Sequence, residues 1–363
     1  MTPLGREIAA LVASEGPISV ARFMALCLGD PRHGYYMTRD PFGAAGDFVT
    51  APEVSQMFGE LIGLWCADTW SRMGAPGVVR LVELGPGRGT LMADAARAAR
   101  ALPPFRAALD IHLVETSQAL RKIQRATLEA GGISATWHER IETVPDGPAL
   151  VVANEFFDAL PIRQFVRAPD GWRERLVGLG DGGGLAFGLS PELAPSLAGA
   201  AGPLGAILEV AEEGAGVMRT LAARVAQCGG AVLAIDYGHT RTQPGETLQA
   251  VRRHAFVDAL AEPGEADVTA HVDFAALARV AAQSGAAVHG PATQGAFLRA
   301  LGLATRADTL RRNASAEAAA GIDAAVDRLA GGGAGMGELF KVLAVADPRL
   351  GPLAGFDTEA PPA

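Results

Sequence analysis

Val79-Arg80-Leu81-Val82-Glu83-Leu84-Gly85-Pro86-Gly87-Arg88-Gly89-Thr90 is a run of branched apolar residues that ends in an acid and opens into alternating glycines. A helical pattern follows at once. This reads as a buried strand, a tight turn and a helix start, with Thr90 as the helix cap. Glycine has no Cβ, so a ligand can lie directly against such a backbone. The chemistry of the chain is expected at this strand end.

Outward from this turn the sequence alternates. Strands are expected at Val79–Leu84, Asp110–Glu115, Ser134–His138, Ala149–Asn154 and Ala231–Asp236, and helices at Thr90–Ala101, Ser117–Ala130 and Glu209–Gln227. That rhythm predicts an α/β fold with a parallel sheet flanked by helices. Before it lie two helical stretches within residues 5–28, parted by Gly16-Pro17, then an irregular Gly/Pro-rich segment and a helix over Val54–Met73. Between Leu160 and Ser190 the rhythm breaks into short alternating runs, read as an inserted antiparallel element. Residues 247–262 show no clear period. A helix over Val272–Ser284, a strand at Ala286–His289, a helix from near Thr293, an Ala-rich helix over Ser315–Leu329 and a last strand at Leu339–Val345 complete the pattern, and a frayed tail follows Pro348.

The bulk numbers narrow the class. With 363 residues, 49% hydrophobic and 20% charged, the chain can bury a large core and is not disordered. A net charge of −9 argues against nucleic acid as the main partner but leaves room for a basic protein segment. Cys27, Cys66 and Cys228 are odd in number and widely spaced, which predicts neither disulfides nor a metal site, and a reducing compartment. No apolar run reaches membrane-spanning length, and the start of the chain shows no targeting pattern, so a cytoplasmic protein without membrane insertion is expected.

Two ligand classes compete for the glycine turn. Dinucleotides favour G-x-G-x-x-G, whereas Gly85, Gly87 and Gly89 follow G-x-G-x-G directly after Glu83. An acid there suits a ligand with an amino group, such as the methionine part of S-adenosylmethionine. The next strand ends in Glu115, placed to accept both ribose hydroxyls. Both ligand classes use such an acid, and a carboxylate is also favoured at a helix start, so Glu115 alone does not decide. Asn154-Glu155-Phe156-Phe157-Asp158 sets an amide and two carboxylates at a central strand end, the edge where open parallel sheets bind ligands. Asn154 alone would also serve as a helix cap.

These residues resemble the MidA-like family of S-adenosylmethionine-dependent methyltransferases, whose mitochondrial members assist assembly of respiratory complex I. The resemblance is carried by His33–Tyr36, Gly46–Glu60, Glu83–Leu91, Asn154–Pro161, Ile235–His239, Thr269–Phe274, Thr293–Gly295 and Met336–Leu343, and it is interrupted only over Gly171–Gly205. It implies a seven-stranded, Rossmann-like methyltransferase sheet with an N-terminal helical extension and an inserted β-rich element. The corresponding division is an extension with an active-site loop over 1–75, a core over 76–346 with an insertion at about 162–205, and a tail over 347–363. The resemblance also implies methyl transfer to an arginine of a complex I subunit, with S-adenosyl-L-methionine as cofactor. Glu83, Gly85, Gly87, Gly89, Glu115, Thr50 and Asn154 are the candidate cofactor contacts. Glu155 and Asp158 are the candidate catalytic carboxylates, with Asp47 closing over the site, and no metal is expected. Carboxylates suit an arginine acceptor because the guanidinium is always charged and presents only donors. The partner is then a protein substrate, and a homodimer is compatible with the chain. The competing readings are an assembly chaperone that binds S-adenosylmethionine without turnover, and an NAD-dependent oxidoreductase, which the glycine spacing disfavours.

Overall fold

The structure is a computed structural model that describes residues 1–38, 49–312, 314–333 and 335–356. The chain divides into two compact units, one of residues 1–48, 158–216 and 241–271, the other of residues 49–157, 217–240 and 272–363.

The second unit is built on a sheet whose main strands are Val79–Leu84 (β1), Leu109–Val114 (β2), Thr136–His138 (β3), Ala149–Asn154 (β4), Gly230–His239 (β5), Ala287–Thr293 (β6) and Phe340–Ala346 (β7). Their spatial order is β6-β7-β5-β4-β1-β2-β3, and a two-residue strand, Val272–Asp273, adds to β5 as the eighth. The strands β3, β2, β1, β4 and β5 run parallel, and β7 lies antiparallel to both of its neighbours. All six residues of β4 are buried, as expected of a central parallel strand covered on both faces. The carboxyl ends of β1, β2 and β4 fall together, since Leu84 is in register with both Val114 and Ala153.

One helix-to-helix contact shows how closely this unit packs. The helix Gln56–Arg72 buries Met57, Phe58, Leu61, Ile62, Trp65 and Trp70. It lies so near the helix Thr90–Ala98 that a Cβ on Gly63 would come within 2.7 Å of the Ala95 Cα. The helix does not begin at Val54 as its sequence implies: Ser55 is extended (φ −163°, ψ 142°) and its hydroxyl accepts from the Met57 N–H. A separate short helix, Ala51–Val54, precedes it.

The first unit holds the helices Pro3–Glu15 and Val20–Gly29 and a five-stranded antiparallel sheet. Its strands are Ile18–Ser19, Arg163–Ala168, Gly171–Leu179, Leu185–Leu193 and Ile207–Val210. The inserted run is therefore β-rich, and it recruits Ile18-Ser19, which the sequence alone assigns to a helix start. Glu209 is also a strand residue, and the helix expected to start there begins at Glu212. A three-stranded sheet of Gln249–Arg252, Ala255–Val257 and Asp267–Thr269 occupies much of the segment without period. Its hairpin turns at Arg253 and His254, both at positive φ (51° and 61°). Such turns favour Asn-Gly, so nothing in this dipeptide announces one.

Among the described residues no helix is long and apolar enough to cross a membrane. None of their His, Cys, Asp and Glu residues gathers in a group suited to a metal.

Candidate active site

The turn after β1 takes the shape that glycine permits. Gly85, Gly87 and Gly89 have φ of 61°, 51° and 82°. The Gly85 N–H donates to the Val114 carbonyl at 3.0 Å, tying the turn to the end of β2. Gly89, not Thr90, occupies the cap position of the helix Thr90–Ala98. The Thr90 hydroxyl instead donates to Glu53 Oε1 at 2.5 Å, so Glu53 anchors the turn from the short helix Ala51–Val54.

Glu83 is 3% exposed. Burial pushes its carboxyl from 4.5 up to about 8, against one hydrogen bond from the Met92 backbone. Its Oε2 has no partner among the described residues. A buried carboxyl with a spare acceptor is costly, and a cationic amino group is the ligand that would complete it.

Glu115 stands at the end of β2. Its Oε1 accepts from the Ser117 N–H at 2.8 Å and its Oε2 from Gln124 Nε2 at 3.1 Å. Burial raises its pKa, and these hydrogen bonds work in the opposite direction. Each oxygen keeps acceptor capacity for a hydroxyl. His138 ends β3, its ring 2.9 Å from His112 Nδ1 and 3.0 Å from the Thr143 hydroxyl.

At the end of β4, Asn154 is 8% exposed; its Nδ2 donates to Glu155 Oε1 at 3.1 Å, and its Oδ1 has no partner among the described residues. Glu155 Oε1 also accepts from the Ala51 N–H at 3.2 Å. Thr50, buried beside Ala51, caps its short helix without a side-chain bond. Glu155 sits at φ 50°, in the left-handed region, which a non-glycine residue enters only at a cost. Phe156 then crosses to the glycine turn: a Cβ on Gly85 would meet its ring at 3.1 Å. Phe157 is held by Asp236, whose Oδ2 accepts from the Phe157 N–H at 3.0 Å.

The second unit thus brings together Glu83, Gly85, Gly87, Gly89, Glu115, Thr50, Asn154 and Glu155. Asp158 belongs to the first unit, where its carbonyl accepts from the Ala270 N–H at 3.0 Å and Tyr36 donates to Asp267 at 2.8 Å. Asp47 lies outside the described residues. Sequence reasoning missed Glu53, Gln124 and Trp137. Gln124 carried one signal: it falls between Leu120 and Leu128 on the buried stripe of its helix, where a polar residue needs a partner.

A doubly wound sheet with a bare glycine turn after β1, an acid after β2 and polar groups after β4 defines a nucleoside-binding enzyme of the methyltransferase type. The residues fit S-adenosylmethionine: the spare Glu83 oxygen would meet an amino group, the glycine turn adds no side chain of its own, and Glu115 would accept hydroxyls. Over residues 61–292 the chain matches the family described as "Putative S-adenosyl-L-methionine-dependent methyltransferase". It is 38% identical to "Protein arginine methyltransferase NDUFAF7, mitochondrial" of Danio rerio, covering 84% of this chain and 78% of that one. The human protein of that name is also 38% identical, over 85% of this chain and 76% of its own length. A crystal structure from Burkholderia thailandensis, titled a "likely methyl transferase" bound to S-adenosyl-homocysteine, is similar with a TM-score of 0.85 and 30% identity. That alignment covers 98% of this chain and 95% of the other. The chain belongs to this family and is an S-adenosylmethionine-dependent methyltransferase.

The cytoplasmic expectation is overturned, because the curated relatives are named as mitochondrial proteins. Its basis is too coarse: free cysteines, as all three are here, report reducing surroundings, and neither they nor the absence of a recognisable targeting pattern or membrane-spanning run names a compartment.

Proposed function

We propose that the acceptor is an arginine side chain of a protein, and that the protein is a subunit of respiratory complex I. The names of the relatives support the arginine, and the family resemblance supports complex I. The observation that carries the reading is Glu155, held at φ 50° beside the glycine turn by hydrogen bonds from Asn154 and Ala51.

When bound, S-adenosylmethionine supplies a methyl group on a positively charged sulfur. The chain must present an acceptor nitrogen to that methyl, which is a positioning task. A guanidinium is a poor nucleophile while its charge is spread over three nitrogens. Glu155 would hold it through charge-assisted hydrogen bonds, draw the positive charge toward the bonded nitrogens and accept the proton that transfer releases. Glu83, the three glycines, Glu115, Thr50 and Asn154 would hold the donor. The acceptor reading rests on Glu155; Asp158 lies in the first unit and Asp47 outside the described residues.

The test is transfer of radiolabelled methyl to complex I subunits, with the labelled residue located by mass spectrometry. Wild-type protein is expected to label arginine, and Glu155→Gln to lose about 1,000-fold in turnover with donor affinity retained. Label on another residue type, or full labelling by the variant, would overturn the reading.

A further inference from the structure

We propose that Gln124 is a positioning residue for the donor: it locks the Glu115 carboxylate to the glycine turn so that an adenosine ribose meets a prearranged acceptor. The inference rests on the reading above that Glu115 receives the ribose hydroxyls.

Gln124 lies fully buried on the helix Gln118–Ala130. Its Nε2 donates to the Gly87 carbonyl at 2.8 Å and to Glu115 Oε2 at 3.1 Å. Its Oε1 accepts from Trp137 Nε1 at 2.9 Å. An indole nitrogen only donates, so Trp137 fixes which way the amide faces. The NH2 group is then forced toward the turn and the acid, and both of its hydrogens are used. Three strand ends are joined through one side chain: the turn after β1, the acid after β2, and the indole on β3. The Ser117 N–H holds the other oxygen of Glu115 at 2.8 Å, so the plane of the carboxylate is fixed from both sides. A vicinal diol then binds without having to order the acid first, which is how preorganisation gains affinity. Methionine would fill the same volume without donors, leaving a buried carboxylate short of one hydrogen bond.

The test is calorimetric binding of S-adenosyl-homocysteine to full-length wild type, Gln124→Met, Trp137→Phe, the double variant and Glu115→Gln. Gln124→Met is expected to weaken binding by about 30-fold, the usual range for a hydrogen bond to a charged group. Turnover at saturating donor should stay within about threefold, because the loss is in binding and not in the reacting geometry. Trp137→Phe keeps an aromatic face for Arg125, which packs over the Trp137 ring at 4.8 Å, and removes the indole N–H together with part of the ring. It should cost about fivefold, and the double variant no more than Gln124→Met alone, since Trp137 acts through Gln124. Loss of the amide donor also raises the Glu115 pKa, so donor affinity in Gln124→Met should fall off at a higher pH than in wild type as the solution is acidified. A merely structural residue would not move that profile.

Affinity within about twofold of wild type in Gln124→Met, with Glu115→Gln weakened, overturns the role of Gln124 and leaves the ribose reading standing. Unchanged affinity in Glu115→Gln sinks the ribose reading itself. Should Gln124→Met fail to fold, Trp137→Phe decides: unchanged affinity there overturns the inference.

Discussion

Two corners of the same sheet edge are built in opposite ways. After β1 and β2 the polar groups are tied to one another: Gln124 spends every donor and acceptor on Gly87, Glu115 and Trp137, and Ser117 completes the hold on Glu115. After β4 the backbone of Glu155 is left-handed and Asn154 Oδ1 has no partner among the described residues. A satisfied buried network is rigid, whereas strain and unspent hydrogen-bonding capacity persist where function requires them. On the proposed reading the donor corner, after β1 and β2, is largely finished before any ligand arrives, whereas the acceptor corner, after β4, keeps Asn154 Oδ1 unspent for the donor beside Glu155. Glu83 is the exception on the donor side, a buried carboxyl with one oxygen still to be matched.

The comparison breaks most completely at Gly87. Valine there would place a β-branched side chain at φ 51°, a conformation it adopts only with several kcal/mol of strain, and would cover the backbone on which the donor lies. Gly87→Val is expected to weaken S-adenosyl-homocysteine by about 100-fold or more, with a fall in Tm of only a few degrees. Equilibrium binding beside a thermal melt checks both. Donor affinity retained within about tenfold would show that the turn is not where the donor rests.

Glu83 sharpens the comparison with pH. Its carboxyl holds a proton up to about 8 in the fold but releases it near 4.5 when the chain unfolds. The unfolded state therefore binds fewer protons across that window, and the stability of the ligand-free protein falls as pH rises through it. A cationic amino group needs the carboxylate, so donor affinity should move the other way, tightening about tenfold per pH unit up to about pH 8. Glu83→Gln is expected to flatten both slopes. Calorimetric affinities and melts from pH 6 to 8 test this, and a flat wild-type profile would remove Glu83 from the donor site.

The donor side was the more legible of the two in the sequence. Val79–Leu84 and Ala149–Asn154 are strands to the residue, because branched apolar runs ended by glycine or a polar cluster leave few other conformations. The three glycines marked their own turn. The partners that complete it were not legible: Gln124 and Trp137 are 13 residues apart, and helical periodicity reports that Gln124 is buried but not what it bonds. Ile18-Ser19 became a strand because a distant edge, Leu176-Val177, was there to pair with it, which local propensity does not contain. The acceptor side was legible only as a list of residue types. Asn154 and Glu155 were visible as polar groups at a strand end, but Glu155 gives no sign of positive φ, since no glycine or asparagine stands at that position.

That hidden backbone state gives the smallest and most discriminating of the expected effects. Glu155→Ala and Glu155→Gly both lose the carboxylate and its bonds to Asn154 and Ala51, so turnover should vanish in each. They differ only in what the backbone costs at φ 50°. Alanine keeps the Cβ that makes the left-handed region unfavourable; glycine relieves it but brings a more flexible unfolded chain. The first effect dominates where positive φ is required, so Glu155→Gly should be more stable than Glu155→Ala by about 1 kcal/mol. Denaturant melts of the two inactive variants read this difference directly, free of any change in catalysis. Equal midpoints would mean that the acceptor corner stores no strain, and that its contrast with the donor corner rests on the spare oxygen of Asn154 alone.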